Sequence, residues 1–186
     1  NMFPFFPDVH DAPFNPMQAA SRITRWTVDM ASNGEDFDEI VRLTDTVSEF
    51  PRIDDRFTGV KCRYTWGLEM DMRRPHELKG GSAGGMLMNC LFLKDLETGA
   101  EQHWWAGPVS TLQEPCFVPR SKDALEGDGW IVMVCNRLEE RNSDLLVFDA
   151  LAIEKGPLAT IHVPIRLRFG LHGNFAPSAD IGLKAR

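Results

Sequence analysis

The segment VKCRYTWGL, residues 60–68, alternates apolar and polar side chains and predicts a β-strand. Its odd positions 61, 63 and 65 are polar, and its even positions carry the apolar residues Val60, Cys62, Tyr64, Trp66 and Leu68. A period of two separates the faces of a strand, because successive residues of a pleated chain point in opposite directions. We therefore expect a half-buried antiparallel strand with one face against the core.

Two further segments alternate in the same way. RITRWTVDM, residues 22–30, places Trp26, Val28 and Met30 on one face. In LATIHVPIRLRF, residues 158–169, we expect the inward side chains to be Ile161, Val163, Ile165, Leu167 and Phe169, and the outward ones to be His162, Arg166 and Arg168. Each segment predicts a strand with one apolar face.

Two nearly continuous apolar runs predict strands of another kind. WIVMVC, residues 130–135, and DLLVFDA, residues 144–150, carry almost no polar face. Such runs are typical of inner strands that are buried on both sides.

Turn-forming segments such as SNGED, KGGSAGG and EGDG separate these runs at short intervals. We count nine or ten short strands and only weak helical stretches, with the strands grouped in fours over roughly residues 24–66, 86–119 and 130–169. The predicted fold class is therefore all-β. Many short strands with regular turns form sandwiches, barrels or propellers, and the periodicity leaves the propeller and the sandwich equally compatible with the sequence.

The length and charge of the chain limit its number of domains and the classes of partner that it can bind. Its 186 residues are enough for one domain with a sizeable core. The 20 Lys and Arg residues against 27 Asp and Glu residues give a net charge of −7, and no basic stripe is present. This balance argues against a nucleic-acid partner, whose phosphates require clustered cations.

We expect no membrane-spanning or secretory segment among these residues. Its longest apolar stretch, GGMLMNCLFL at residues 84–93, contains Asn89 and is shorter than the ~20 residues of a spanning helix. The opening MFPFFP, residues 2–7, is apolar enough for a loop that docks on a membrane surface, although we favour a buried connection. Because the chain starts at Asn1 and not at Met, we expect it to be a piece of a longer protein.

The cysteines indicate a reducing compartment. Cys62, Cys90, Cys116 and Cys135 lie in apolar segments, and no two of them form a C-x-x-C pair. We expect reduced, buried thiols that act as small apolar residues in a cytoplasmic protein, and not zinc ligands.

One histidine stands in an unusual setting. FGLHGNFAPS, residues 169–178, presents His172 between Gly170 and Gly173. A lone loop histidine is compatible with an ordinary surface residue or with a metal ligand. The remaining histidines form no metal-binding spacing with it, and these are His10, His76, His103 and His162. The spacing alone therefore gives no complete metal motif.

Two glutamates beside prolines are candidates for functional carboxylates. Glu49 in SEFPRID and Glu114 in QEPCFVPR are expected at strand edges and partly buried, so that each carboxylate needs a partner. The partner is either an arginine, such as Arg52 or Arg120, or an imidazole N–H. A carboxylate that accepts from one ring nitrogen leaves the other nitrogen free to bind a metal.

Several segments together resemble the carotenoid cleavage oxygenase family, which includes the bacterial lignostilbene dioxygenases. The matching segments occur in the family's order over almost the whole chain: NMFPFFPD, RITRWTVDM, EFPRID, RYTWGL, EPCFVPR with LEGDGW, DLLVFDA and FGLHGNF. The resemblance implies a seven-bladed β-propeller with a non-haem Fe(II) ion held by four histidines on its axis. Residues 1–186 would be a single incomplete domain, about three blades plus the closing strand from the C-terminal part.

The resemblance also implies roles for three residues. His172 matches the family's last iron ligand, and Glu49 and Glu114 match carboxylates that hold iron-bound histidine rings. Glycines on either side of His172 would let the backbone approach the metal. The family's other three histidines lie upstream of the matched segments, so we expect the isolated chain neither to bind iron tightly nor to catalyse.

The family reaction is the oxidative cleavage of a C=C bond by O₂ to give two carbonyl products. The substrates implied by the resemblance are a conjugated polyene and a phenolic stilbene or phenylpropenoid, of which the stilbene branch fits the matched segments better.

Two other interpretations stay open. In a metal-free propeller or sandwich that serves as a binding module, His172 is an ordinary loop residue, and Glu49 and Glu114 lie far from it and pair with arginines. In a different metalloenzyme, such as a cupin-like barrel, several of the histidines converge on one ion.

Overall fold

The computed structural model describes residues 21–71, 73–74, 88–168, 170, 172–178 and 180–182. The described residues form eleven strands: β1 (Thr24–Thr27), β2 (Glu39–Arg42), β3 (Val47–Arg52), β4 (Tyr64–Met70), β5 (Cys90–Asp95), β6 (Glu101–Trp105), β7 (Ser110–Leu112), β8 (Cys116–Pro119), β9 (Gly129–Arg137), β10 (Asn142–Asp149) and β11 (Ala159–Val163). Two short 3₁₀ turns, Asp55–Phe57 and Ile153–Lys155, are the helical elements of this part of the chain. The all-β prediction is confirmed. The MFPFFP segment, His10, His76 and Phe169 lie outside the described residues.

The strands form three antiparallel sheets. β1 pairs with β2 in a ribbon, and β3, β4, β5 and β6 follow one another in a four-stranded sheet. The third sheet has the order β11-β10-β9, and the far side of β9 carries both β7 and β8. β7 pairs with the residues around Asn136 and β8 with those around Ile131, so the two short strands share one edge of a nine-residue strand.

The predicted grouping of the strands in fours is wrong. β4 pairs with β3 on one side and with β5 on the other, although the glycine-rich segment KGGSAGG separates β4 from β5 in the sequence. The strands before and after a glycine-rich segment of the sequence therefore belong to one sheet here, and the sheet boundaries fall after β2 and after β6. Turn residues mark the end of a strand, but they do not show whether the next strand joins the same sheet.

The core lies between the four-stranded sheet and the third sheet. Trp66 of β4 has a fully buried ring that stacks on Phe117 of β8, with the ring centroids 5.1 Å apart. Its indole Nε1 donates to the Ala150 carbonyl at 2.8 Å. The apolar residues packed around it come from both sheets and include Leu68, Leu91, Leu112, Ile131, Met133, Leu146 and Phe148. The burial of these side chains holds the two sheets face to face.

The strand predicted at residues 60–68 forms, but it begins at Tyr64 and is buried on both faces. Thr65 and Glu69, on the face predicted to be polar and exposed, are buried. The Thr65 hydroxyl donates to the Arg52 carbonyl at 3.0 Å, and Glu69 pairs with His103. The polar face could be buried because each polar group on it has a partner. Val60 lies before the strand and is exposed.

Three other burial predictions are corrected. The apolar residues Trp26, Val28 and Met30 are exposed: Trp26 lies in β1, which belongs to a two-stranded ribbon, and Val28 and Met30 lie beyond the end of that strand. The last predicted strand ends at Val163; Ile161 is exposed on β11, the edge of its sheet, and Ile165 is exposed beyond the end of that strand. β9 and β10 are inner strands as predicted, but each alternates between buried and half-buried side chains.

All four cysteines are free thiols. Cys90 and Cys135 are buried, and burial raises the pKa of Cys90 to about 12 and that of Cys135 to about 11. Cys62 and Cys116 are only half-buried, which corrects the expectation that all four are core residues. Within the described residues, no helix is long and apolar enough to cross a membrane.

Candidate functional site

His172 lies on the segment after β11, in contact with residues of two sheets. Its side chain is 72% exposed, and its Nδ1 atom lies 3.4 Å from Oε2 of Glu114. The ring of Phe50, from β3, meets the imidazole edge-on, with centroids 5.8 Å apart and an interplanar angle of 77°. The carboxylate on one side and the phenyl ring on another limit the directions in which the imidazole can point.

Glu114 is buried at the break between β7 and β8. Its side chain is only 7% exposed. Oε2 accepts a hydrogen bond from the Gly173 N–H at 2.8 Å, and Oε1 lies 3.6 Å from Nη1 of Arg52. The carboxylate thus has both partners that the sequence left open, an arginine and an imidazole. Arg120 is not among them, because its guanidinium pairs with Asp128 at 2.8 Å.

This geometry has a clear chemical consequence for the imidazole. A carboxylate beside Nδ1 favours the tautomer that carries its proton on that nitrogen. The lone pair of Nε2 is then available to a metal ion. His172 with Glu114 therefore fits the role of one oriented nitrogen donor.

Gln113, the residue before Glu114, holds the chain on the other side of His172. Its Oε1 accepts from the Gly170 N–H at 3.1 Å, and its Nε2 donates to the Arg168 carbonyl at 3.2 Å. A Cβ at Gly170 would lie 2.7 Å from that Oε1 atom, whereas a Cβ at Gly173 would meet nothing within 4 Å. Gly170 thus contacts Gln113 closely, whereas a side chain at position 173 meets no described atom; the approach of the backbone to a metal at either glycine stays a prediction.

An irregularity in β3 brings two more side chains to the site. The register of β3 against β4 shifts between Glu49 and Arg52, and Phe50 has a φ of 56°, in the left-handed region that bulky residues rarely adopt. Arg52 then reaches the segment after His172, where its Nη2 donates to Oδ1 of Asn174 at 3.1 Å. Sequence reasoning named Arg52 only as a partner for a glutamate and gave no role to Phe50 or Asn174.

Glu49 is not joined to His172. It lies in β3 opposite Leu68, and within the described part of the chain its carboxylate has no hydrogen-bond or ion-pair partner. The structure therefore brings together two of the three predicted site residues, His172 and Glu114, and leaves the third without an observed partner.

A pocket of about 160 Å³ opens beside this pair. Its lining includes the polar residues Glu114, His172 and Asn174 and apolar side chains of β9 and β10, namely Val132, Val134 and Leu145. This lining combines apolar side chains with a few polar groups, as in many sites for small organic molecules.

Two other histidines pair with carboxylates, which sequence reasoning did not predict. His103 Nδ1 lies 2.6 Å from Oε1 of Glu69, and this hydrogen bond raises the pKa of His103 despite the opposing effect of burial. His162 Nδ1 lies 2.7 Å from Oδ1 of Asp144. The partners are 34 and 18 residues apart in sequence and meet only through strand pairing. No local sequence pattern therefore predicts these two pairs.

The three described histidines do not converge. Across the described ranges, no group of three or more His, Cys, Asp and Glu side chains could hold a metal ion. The cupin-like alternative therefore finds no support among these residues. The metal-free alternative predicted that Glu114 lies far from His172, and the 3.4 Å separation contradicts that point.

Comparison with known proteins shows where the chain belongs. Residues 1–177 match the family described as retinal pigment epithelial membrane protein, RPE65. The chain is 49% identical over 185 residues to lignostilbene-alpha,beta-dioxygenase isozyme III of Sphingomonas paucimobilis, a match that covers 100% of the chain and 38% of that relative. It is 40% identical over 178 residues to isoeugenol monooxygenase of Pseudomonas nitroreducens, covering 95% of the chain and 37% of the relative. The chain thus spans less than two fifths of the length of these relatives.

Solved structures agree with this placement. The crystal structure of Pseudomonas brassicacearum lignostilbene dioxygenase is similar with a TM-score of 0.86 and 38% identity, over 95% of the chain and 37% of that structure. Cobalt-substituted Synechocystis ACO, an apocarotenoid oxygenase, is similar with a TM-score of 0.64 and 27% identity, over 74% of the chain and 27% of that structure. These relatives are β-propellers, and the sheets of this chain correspond to part of one. The chain therefore belongs to the RPE65 family of carotenoid cleavage oxygenases.

Proposed function

We propose that the full-length protein containing this chain is a non-haem Fe(II) oxygenase that cleaves a C=C bond of a phenolic stilbene or phenylpropenoid. The observation that carries the proposal is the pairing of Glu114 with His172 at 3.4 Å, on the segment where the family resemblance implies an iron ligand. Three further imidazole ligands would come from the length that the relatives have beyond this chain.

Each residue of the site has a role in this proposal. His172 would hold the iron through Nε2, while Glu114 would orient the imidazole from the Nδ1 side and offset part of the charge that neutral ligands leave on the ion. Phe50 restricts the rotation of the imidazole through its edge-on contact. When bound, the iron supplies a coordination site at which O₂ can oxidise the alkene, so that both alkene carbons become carbonyl carbons.

The preference for a phenolic substrate comes from the relatives. The lignostilbene dioxygenase and the isoeugenol monooxygenase share 49% and 40% identity with the chain, and a carotenoid cleavage oxygenase of Mycobacterium tuberculosis shares 30%. The polar and apolar lining of the pocket beside His172 suits an aromatic ring with a hydroxyl group. Polyenes are the second substrate class that the family allows.

The proposal is tested with two histidine variants of the full-length protein. His172→Ala is compared with His162→Ala, because His162 also pairs with a carboxylate through Nδ1 but lies on β11, with no role in the proposed site. Bound iron is measured by a chromogenic chelator, and cleavage of lignostilbene, isoeugenol and an apocarotenoid is followed by chromatography. We expect His172→Ala to lose its iron and its turnover and His162→Ala to keep both. Stoichiometric iron and unchanged turnover in His172→Ala would contradict the proposal.

A further inference from the structure

We propose that Arg52 is a positioning residue for His172. It contacts Glu114, whose carboxylate lies beside the imidazole, and Asn174, which follows His172 in the chain. The inference rests on the function proposed above, in which His172 is an iron ligand. The guanidinium has three partners: it forms an ion pair with Glu114, whose Oε1 lies 3.6 Å from Nη1, and its Nη2 donates to Oδ1 of Asn174 at 3.1 Å and to Oδ2 of Asp55 at 3.2 Å. One of these partners contacts the imidazole, and another lies two residues after it in the chain.

The first effect of Arg52 is on the orientation of Glu114. The terminal torsion of a glutamate is broad, so a carboxylate without fixed partners can rotate. Here the two oxygens are distinguished by their surroundings, because Oε1 lies beside Arg52 and Oε2 faces His172 and the Gly173 N–H. Without the guanidinium, the Glu114 carboxylate can rotate more freely. Its contact with the imidazole then fixes the ring orientation less well.

The second effect of Arg52 is on charge. The side chain of Glu114 is 7% exposed and that of Arg52 is 18% exposed, so the pair is partly withdrawn from water. A buried carboxylate that loses its compensating cation is costly to keep in place, which favours its movement toward solvent. Arg52 therefore keeps the Glu114 carboxylate in place beside the imidazole.

The backbone of β3 explains why Arg52 can reach the site. The register shift between Glu49 and Arg52, with Phe50 in a left-handed conformation, turns two side chains of one strand toward the same imidazole. Phe50 contacts the ring directly, and Arg52 contacts the residues that hold it. Backbone strain of this kind persists only where the surrounding contacts maintain it, and it is concentrated at functional sites.

A plain structural ion pair makes a different prediction from a positioning role. The guanidinium is a planar fork that contacts acceptors on two segments at once, whereas a lysine ammonium is a single compact charge. If only charge or general stability matters, Arg52→Lys should behave like the unchanged protein. If orientation matters, lysine should not restore it.

The experiment uses the full-length protein loaded with Fe(II) under anaerobic conditions. Arg52→Met and Arg52→Lys are compared with Arg120→Met, which also loses an arginine ion pair, with Asp128 at 2.8 Å, but whose described partners do not include Glu114, His172 or Asn174. Iron release to an excess of chelator gives the first readout. We expect about tenfold faster release from Arg52→Met, at the low end of the effects of residues that orient metal ligands, and a smaller acceleration from Arg52→Lys. Release from Arg120→Met should be unchanged.

A second readout reports ligand geometry directly. The visible absorption of a Co(II)-substituted site depends on the arrangement of its ligands, and a relative of this chain has been studied with cobalt in place of its metal. We expect the Co(II) bands to shift in both Arg52 variants and to stay unchanged in Arg120→Met. Thermal unfolding of the metal-free proteins should fall further for Arg52→Met than for Arg120→Met, because only the first leaves a buried carboxylate without its cation, whereas Arg52→Lys keeps the charge and should lose less stability.

The outcomes separate this inference from the function on which it rests. If Arg52→Lys keeps the release rate and the Co(II) spectrum of the unchanged protein, Arg52 is not a positioning residue, even where Arg52→Met fails to fold. If the Arg52 variants keep the iron-release rate and the Co(II) spectrum of the unchanged protein while His172→Ala loses iron, only the proposed role of Arg52 is wrong. If His172→Ala keeps its iron, the proposed function fails first.

Discussion

Gln113 binds the backbone at Gly170, two residues before His172, in the way that a neighbouring strand would. Its side-chain amide accepts from the Gly170 N–H at 3.1 Å and donates to the Arg168 carbonyl at 3.2 Å. Glu114, the next residue, accepts from the Gly173 N–H at 2.8 Å. Two consecutive side chains at the break between β7 and β8 therefore hold the backbone on both sides of the imidazole.

The first prediction concerns the two glycines that flank His172. Gly170→Ala places a methyl group 2.7 Å from Oε1 of Gln113, so the side chain must move and its hydrogen bonds weaken. We expect a loss of about 1–2 kcal/mol in the free energy of unfolding, the value of one or two neutral hydrogen bonds. Chemical denaturation of the full-length protein measures it.

Gly173→Ala is the matched control for that variant. A Cβ there meets nothing within 4 Å, and the backbone N–H that Glu114 accepts is retained. We expect a change below about 0.5 kcal/mol, as for ordinary surface substitutions. Equal losses of unfolding free energy at the two glycines would show that the contact with Gln113 does not determine the cost of Gly170→Ala.

The second prediction compares the two glutamates assigned to the iron site, Glu114 and Glu49, with a glutamate that only stabilises the fold. Glu114→Gln should weaken iron retention by roughly 10–100-fold, because glutamine cannot hold the His172 imidazole as a carboxylate does. Glu49→Gln should have an effect of the same size, because the family resemblance assigns Glu49 to an iron-bound histidine ring from outside this chain. Iron retained after dialysis against a chelator is the measurement.

Glu126→Gln is the control for those two variants. Its carboxylate also accepts from the backbone, from the N–H groups of Arg63 at 2.6 Å and Tyr64 at 3.0 Å, but it lies outside the proposed site. We expect this variant to lower the unfolding temperature and to keep its iron. If Glu114→Gln retains iron as well as Glu126→Gln does, the pairing of Glu114 with His172 has no function in metal binding.

The sequence predicted strands more reliably than it predicted which faces of the strands are buried. The alternation around Trp66 indicates a strand, and a strand forms there. The burial of Glu69 on its other face depends on His103, which reaches it only after β4, β5 and β6 have paired. In the opposite direction, Trp26 and Ile161 are apolar and yet exposed, because each lies on a ribbon or an edge strand that no described element covers. Burial is set by neighbours that are distant in sequence, and a local pattern cannot contain them.

The sequence predicted the candidate site only in part, because contacts between residues distant in sequence form this site as well. The family resemblance pointed to His172 and Glu114, and the structure brings them together. The spacing of the histidines alone would not have joined them, since 58 positions separate the two residues in the sequence. The contacts of Arg52 with Glu114 and Asn174 depend on a register shift in β3, which no pattern in the sequence announces.

The third prediction concerns Gly67, whose backbone packs against the ring of Phe92 in the four-stranded sheet. A Cβ at Gly67 would lie 2.6 Å from the ring of Phe92 and 3.2 Å from the Glu49 carbonyl. Because Phe92 is buried and rigidly packed, Gly67→Ala should destabilise the protein by about 1–3 kcal/mol, as overpacking does. Thermal and chemical unfolding measure the loss.

A second substitution tests the cause. In the double variant Gly67→Ala with Phe92→Leu, the smaller side chain leaves room for the methyl group. We therefore expect the double variant to lose less stability than the sum of the two single variants. Strict additivity would mean that the Phe92 ring is not what excludes a side chain at position 67.

The fourth prediction concerns the dependence of stability on pH through His103. Its Nδ1 lies 2.6 Å from Glu69, whose other oxygen accepts from the Thr46 hydroxyl at 2.5 Å, and its Nε2 lies 3.4 Å from Glu101, which in turn pairs with Lys94. The hydrogen bond to Glu69 raises the pKa of His103 above its ordinary value. A raised pKa means that the folded protein stabilises the protonated ring. That stability is fully present below the ordinary pKa of about 6.5 and is lost as the pH rises through the raised value.

His103→Gln should therefore lower the unfolding temperature more at about pH 6 than at about pH 9, since only the protonated ring gains from the nearby carboxylates. The matched comparison is His103→Gln in a Glu69→Gln background, where the main cause of the raised pKa is gone. There we expect a smaller difference between the two pH values, with the remainder due to Glu101. If the cost of His103→Gln is the same at both pH values in the unchanged background, Glu69 and His103 form a neutral hydrogen bond and not a charged pair.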